Sequence, residues 1–371
     1  MTFSRRDTLR SIGTAGALGA AGCLGDGAGD EKETSEMPEA TGSGAEEDGE
    51  TDVRAAFVYH DVVGDFGWQW AHDQARRRVE REFDWLETRI FDNLQPKNSQ
   101  PEFRQYAERG FDVIFGTSYG YMDPMYDVAP EYPNVAFEQC SGYKQRENMG
   151  RYFGRMYQPR YLAGVAAGLL TEEGTLGYVA AFPNSEVVRG INAFALGASS
   201  VNDDVTVRVR YTDTWNDTET ERRTAKQLID TGVDVMGQHQ NFPAAAETAA
   251  EAGIWAIGYN SPMGDYVGEN YVTSPIWHWD VFYRQAVQDV RNGTWKADSY
   301  WKGLNAGIVD LSDWGPKVPD EVIATVEQKR TQIETGELDV WADTRFGSFD
   351  DEELFMGVES YVDSVAGSVP E

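Results

Sequence analysis

From Val53 onward, short apolar runs bounded by Gly, Asp and Asn alternate with longer segments in which apolar side chains recur at helical spacing. Residues 54–59, 88–91, 112–115, 135–138, 175–180, 206–211, 233–237 and 255–259 are predicted strands. The helical period predicts helices near 69–83, 100–109, 157–170, 186–200, 217–231 and 242–252, the last three starting close to Asn184, Asp217 and Asn241. Alternation of this kind builds parallel sheets with right-handed crossovers. One series lies before about residue 150 and another after it, so the fold class is α/β with two lobes of similar topology.

In doubly wound sheets, ligands sit beyond the carboxyl ends of the strands, so function is read in the segments that follow them. After the first strand come His60-Asp61-Val62-Val63-Gly64-Asp65-Phe66-Gly67-Trp68, and after the third Gly116-Thr117-Ser118-Tyr119-Gly120-Tyr121. The second lobe adds Ala181-Phe182-Pro183-Asn184, Thr212-Asp213-Thr214-Trp215-Asn216-Asp217, Gln238-His239-Gln240-Asn241-Phe242 and Asn260-Ser261. Aromatics bring large apolar area on rigid frames, and amides and carboxylates bring paired donors and acceptors. Together they suit a flat heterocycle.

Residues 1–22 depart from this pattern. Arg5-Arg6 precede a short, mild, Gly/Ala-rich stretch, the form of a twin-arginine export signal. Ala20-Ala21-Gly22-Cys23 resembles a lipobox, which places a diacylglycerol on Cys23 and begins the mature chain there. Residues 24–52 hold eleven acids and one Lys with almost nothing apolar, so 23–52 are predicted to be a disordered acidic tether. The predicted location is extracytoplasmic, with the lipid on Cys23 anchoring the chain to the outer face of the membrane.

The 371 residues carry 62 Asp+Glu against 32 Lys+Arg, a formal charge of -30, which argues against a nucleic-acid partner. Only 8 of the 32 cations are Lys, and a carboxylate-rich, Lys-poor surface suits high salt, where self-repulsion is screened. A halophilic source is therefore the reading, an ordinary acidic protein the alternative. No G-x-x-x-x-G-K-[ST] loop is present, no G-x-G-x-x-G follows a strand, and no G-x-S-x-G elbow appears. His60-Asp61 and His72-Asp73 lack further converging ligands beyond His239 and His278, so no metal site is predicted. Catalysis and cofactors are likewise not predicted, and Cys140 reads as an inert buried thiol.

Four ordered segments resemble the basic membrane protein family of solute-binding lipoproteins, relatives of the purine nucleoside receptors of ABC transporters. Asp65-Phe66-Gly67-Trp68-Gln69 is similar to the family's D-x-x-F-N, and Thr214-Trp215-Asn216-Asp217 to its S-F-N-D. Tyr161-Leu162-Ala163-Gly164-Val165-Ala166-Ala167 resembles Y-L-A-G-x-x-A, and Ala256-Ile257-Gly258-Tyr259-Asn260-Ser261 resembles A-I-G-V-D-S. The resemblance spans about 53–340. It implies a type I periplasmic-binding-protein fold, two Rossmann-like lobes joined by three crossovers and closing on a ligand. Lobe 1 would be 53–150 plus about 257–295, lobe 2 would be 151–256 plus about 296–347, and 348–371 would form a C-terminal acidic segment. In relatives two Phe sandwich a purine, a role that here falls to Trp68 and Trp215.

The departures from the family shape the expected ligand. Asn260 stands where nucleoside receptors carry an Asp for the ribose, and Thr273-Ser274-Pro275-Ile276-Trp277-His278-Trp279 lacks the Lys of T-S-x-x-K. A pocket without ribose anchors favours a free nucleobase such as adenine. A nucleoside receptor of the same importer class, or a sensor for a membrane signalling partner, is the alternative. The predicted ligand-binding residues are Asp65, Phe66, Gly67, Trp68, Tyr119, Asn184, Trp215, Asn216, Asp217, His239, Gln240, Asn260 and Trp277. Asp65, Asn216 and Asp217 would read the ring edge, with helix capping as the plain alternative for the two Asp. The permease subunits of an ABC importer are the expected protein partners.

Overall fold

The computed structural model describes residues 52–370. The signal, Cys23 and nearly all of the acidic tether lie outside the described residues. In the first lobe β1 (Val53–Val58), α1 (Gly67–Glu82), β2 (Leu86–Phe91), α2 (Ser99–Glu108), β3 (Val113–Gly116), α3 (Met122–Val128), β4 (Ala136–Cys140) and β5 (Met149–Gly154) follow in turn. The second lobe holds α4 (Tyr157–Leu170), β6 (Thr175–Ala180), α5 (Ser185–Ser199), β7 (Thr206–Tyr211), α6 (Thr218–Ile229), β8 (Val235–Gln238), α7 (Ala244–Glu251), β9 (Trp255–Ala256) and α8 (Gly264–Val267). The chain then returns through β10 (Pro275–Trp277) to α9 (Trp279–Arg291) and β11 (Ser299–Lys302), and crosses again through β12 (Val309–Leu311) to α10 (Asp320–Glu334) and α11 (Asp351–Met356).

Both main sheets are parallel. The six-stranded one runs β11-β5-β4-β3-β1-β2 and the four-stranded one β7-β6-β8-β9. Strand β1 is almost wholly apolar and buried because helices cover both faces of its sheet. In each lobe the order reverses beside the first strand, between β1 and β3 and between β6 and β8, and that reversal opens a crevice at the carboxyl ends. Register brings Val58 level with Gly116 in one lobe and Val179 level with Gln238 in the other, so the residues that follow these strands emerge side by side.

Three connections join the lobes. One runs from β5 to α4, and the other two pair with each other as the antiparallel β10–β12 ribbon. Two boundaries differ from the sequence reading. Ser299–Lys302, expected in the second lobe, pairs with β5 and extends the first sheet. Met263, Val267 and Tyr271, expected in the first lobe, are buried with the apolar faces of α6 and α7 in the second. The predicted strand 255–259 ends at Ala256, beyond which Gly258 and Asn260 donate their N–H groups to the Thr273 and Pro275 carbonyls.

The C-terminal residues also belong to the second lobe. A capping box of Asp350 and Glu353 starts α11, and Leu354, Val358 and Tyr361 are buried. Val207 N–H donates to the Ser364 carbonyl and Ala366 N–H to that of Val207, which covers the exposed edge at β7.

Candidate functional site

The site is built where the two crevices face each other. On the first lobe, Gly67 at φ 82° lets the chain turn sharply into α1, and Trp68 follows in the helix's first turn. Its indole N–H donates to the Thr117 carbonyl beyond β3 at 2.7 Å, so one side chain bridges the reversal between β1 and β3. Behind it Trp277, Trp279 and His72 form a ladder, with ring centres 4.3 Å and 4.6 Å apart and planes within 12° and 7°. Trp68 meets all three nearly at right angles, at 5.7, 5.5 and 4.7 Å. Trp68 stays half-buried while Trp279 is fully buried, so the ladder is backing and Trp68 its accessible face. The His72 ring is neutral, its pKa pushed well below the usual range by burial, and its Nδ1 pairs with the Tyr283 hydroxyl.

On the second lobe, Trp215 beyond β7 is half-buried, with Phe182 at 5.2 Å and His239 at 5.9 Å between ring centres. His239 follows β8 and packs on Tyr259 at 4.4 Å, with Nε2 3.6 Å from Glu186 Oε1. Burial, and after it the Arg160 charge, lowers its pKa to about 4. Gln240 is buried and donates from Nε2 to Thr212 Oγ1 at 2.8 Å, while its Oε1 meets no partner.

The lobes touch across the cleft. Asn216 donates to Asp61 Oδ2 at 3.0 Å, and Gly67 N–H to Ser261 Oγ at 2.9 Å. Phe66 sits edge-on to Phe242 and Tyr266, at 5.3 and 5.1 Å. A Cβ on Gly67 would come within 2.7 Å of the Asn241 carbonyl, so only Gly admits this approach.

Other expected site residues hold different positions. Asp217 accepts from the Glu219 and Thr220 N–H groups, and Asn184 from that of Val187, so both cap helices. Asp65 is exposed, and Tyr119 is half-buried at the start of a 3-10 turn, its phenol pKa pushed up to about 12 by burial. Asn260 is 2% exposed with both ends of its amide engaged, donating to Asn241 Oδ1 and accepting from Trp277 Nε1 at 2.9 Å each. Trp277, at 4% exposure, supports Trp68 from behind. Sequence reasoning missed Thr117, Asn241, Phe242, Tyr266 and Arg160. The first three stand in the very strand-end segments that were singled out, but Arg160 lies in a helix and carried no signal.

Two parallel α/β lobes joined by three crossings, with Trp68 and Trp215 beyond the strand ends of opposite lobes, have the architecture of a type I solute-binding protein. The chain belongs to the family of PnrA-like ABC transporter substrate-binding proteins, Bmp, whose sequence pattern matches residues 52–343. It is therefore an extracytoplasmic solute-binding protein of an ABC transporter. A Haloferax volcanii protein, provisionally named an ABC transporter glucose-binding protein, is 48% identical over 100% of this chain and 98% of its own length. A purine-binding protein of Brucella abortus is 35% identical over 87% of this chain and 95% of its own. An ABC-transporter solute-binding protein of Aeropyrum pernix K1 superposes with a TM-score of 0.68 at 19% identity, covering 81% of this chain and 97% of that one. One from Conexibacter woesei gives 0.67 at 21% identity, covering 77% and 98%. These two structures share the fold.

Proposed function

We propose that the cleft captures a purine-like solute, with a free nucleobase such as adenine favoured, and that the closed form delivers it to an ABC permease while a lipid on Cys23 holds the chain at the membrane. The observation that carries this reading is Trp68. Its plane is held by the Thr117 hydrogen bond and the aromatic ladder, yet the ring remains half-exposed beyond β1 and β3. A rigid platform of this kind pairs with Trp215 across the cleft to grip a flat ring, each face contributing about 1–3 kcal/mol. The Brucella relative, named for purine binding, supports the same solute class. With Asp217 and Asn184 engaged as caps, Gln240 Oε1 is the buried acceptor left to read a donor on the solute.

A sugar is the second reading, favoured by the name of the 48% identical Haloferax relative. Aromatic faces also take the apolar faces of sugars, so stacking alone does not separate the two. Calorimetry at high salt with adenine, inosine and glucose does. The purine reading expects adenine to bind and the double variant Trp68→Ala, Trp215→Ala to lose it with the fold retained. Binding of glucose alone, or unchanged adenine affinity in the double variant, refutes the indole sandwich.

A further inference from the structure

Behind His239 the second lobe buries a charge that its surroundings leave half-satisfied. Arg160, near the start of α4, is 1% exposed. Its Nη1 donates to the Gln238 carbonyl at 2.6 Å, and its guanidinium lies 3.8 Å from the Tyr259 ring centre. Nε and Nη2 meet no acceptor among the described residues. Buried donors are nearly always partnered, and a charged one left alone is costly. His239, 3% exposed, has the second orphan atom: Nε2 faces the Glu186 carboxylate, whereas Nδ1 meets nothing. A neutral ring keeps its single proton on the nitrogen that faces the carboxylate, so Nδ1 presents a lone pair.

Gly190 of α5 packs close to both atoms. A Cβ built on it lies 3.6 Å from Arg160 Nε and 3.8 Å from His239 Nδ1, with nothing nearer. The bare face of Gly190 thus adjoins a charged donor and a neutral acceptor. A bare anion accepts from Arg160 but brings no proton for Nδ1, and a cation does not accept at all. A hydroxyl oxygen does both.

We infer that Arg160, His239 and the bare face of Gly190 form a hydroxyl-binding subsite whose occupant accepts from Arg160 Nε and donates to His239 Nδ1. The subsite adjoins the aromatic patch through Trp215, and the partly exposed Glu186 side chain borders it. The hydroxyl comes either from the captured solute, in which case the inference rests on the cleft reading above, or from a trapped water.

Gly190→Ala covers that face with a methyl group, and Gly190→Ser returns a hydroxyl to it. Thermal denaturation of the ligand-free chain and calorimetry with adenine, inosine and glucose read both variants. If the solute supplies the hydroxyl, Gly190→Ala weakens inosine or glucose by about tenfold or more, leaves adenine within about twofold, and does not lower the ligand-free midpoint. If water supplies it, Gly190→Ala lowers that midpoint and Gly190→Ser recovers most of the loss. A midpoint preserved or raised by Ala, as helix propensity alone dictates, together with unchanged affinity for every solute overturns the subsite. A loss that Ser does not recover, again with unchanged affinities, marks a packing clash and overturns it too. If the wild type binds none of the three solutes but the Ala loss and Ser recovery persist, the cleft reading fails while the subsite stands.

Discussion

Glu138 shows at the scale of one residue how burial becomes a pH response. Its carboxyl lies inside the first sheet, accepts from Trp295 Nε1 at 2.8 Å, and fills the space that a side chain on Gly150 would need. Burial, opposed in part by the Trp295 hydrogen bond, pushes its pKa from 4.5 up to about 8. The folded state therefore holds a proton that the unfolded state has released across this window. Glu138's contribution to stability is full below about pH 4.5 and is lost progressively as pH rises toward 8. Glu138→Gln keeps an acceptor for Trp295 and removes the titration. It is expected to match the wild type near pH 5 and then outlast it by about 1 kcal/mol per pH unit up to pH 8. Denaturant unfolding across this range, followed by Trp fluorescence, measures the gap, and parallel curves for the two proteins would remove Glu138 as its source.

At the scale of elements, α4 and α5 approach so closely that their contact is written in small residues. A Cβ on Gly164 would lie 2.0 Å from the Phe194 carbonyl, one on Gly197 1.9 Å from that of Tyr161, and one on Gly168 2.5 Å from that of Ala198. Each clash is with backbone, which cannot swing aside as a side chain does. Gly197→Ala is thus expected to cost about 1–3 kcal/mol despite its better helix propensity, a fall of several degrees in the melting midpoint. Calorimetric melting measures it, and a rise in the midpoint would mean that the helices separate freely. Of these glycines Gly164 lies in the Y-L-A-G-x-x-A segment that carried part of the family resemblance, so the motif's glycine has its reason in this helix contact.

At the scale of the whole molecule, the contacts described between the lobes include the buried Gly67–Ser261 hydrogen bond and two others nearer the solvent. Asn216 to Asp61 is a single exposed hydrogen bond, and Phe66 against Phe242 and Tyr266 is a small aromatic latch. Exposed hydrogen bonds contribute about 0.5–1.5 kcal/mol, which suits lobes that must open and close around a solute. Removing both contacts, in Asn216→Ala with Phe66→Ala, should shift the ligand-free population toward open forms without lowering the melting midpoint by more than a few degrees. Small-angle scattering is expected to report a larger radius of gyration, and solute affinity to fall by about tenfold. An unchanged radius would place the closing force elsewhere in the cleft.

The alternation of apolar strands and amphipathic helices determined the α/β class, two parallel sheets and the strand-end segments singled out for the site, because burial on both faces of a sheet leaves a local mark in most of its strands. It also placed Trp68 and Trp215 at those ends. Short crossings such as β10–β12 left no such mark, and neither did β5, whose Gly150 and Gly154 make room for Glu138 and Trp277. The lobe membership of Ser299–Lys302 was equally hidden, since four residues carry too little periodicity to name a partner strand. Tertiary structure alone decided that Asn260 joins Asn241 to Trp277 and that Arg160 and His239 both pack on Gly190. Those outcomes depend on which polar atoms find partners once distant segments meet, and the pattern of neighbours along a chain does not contain that information.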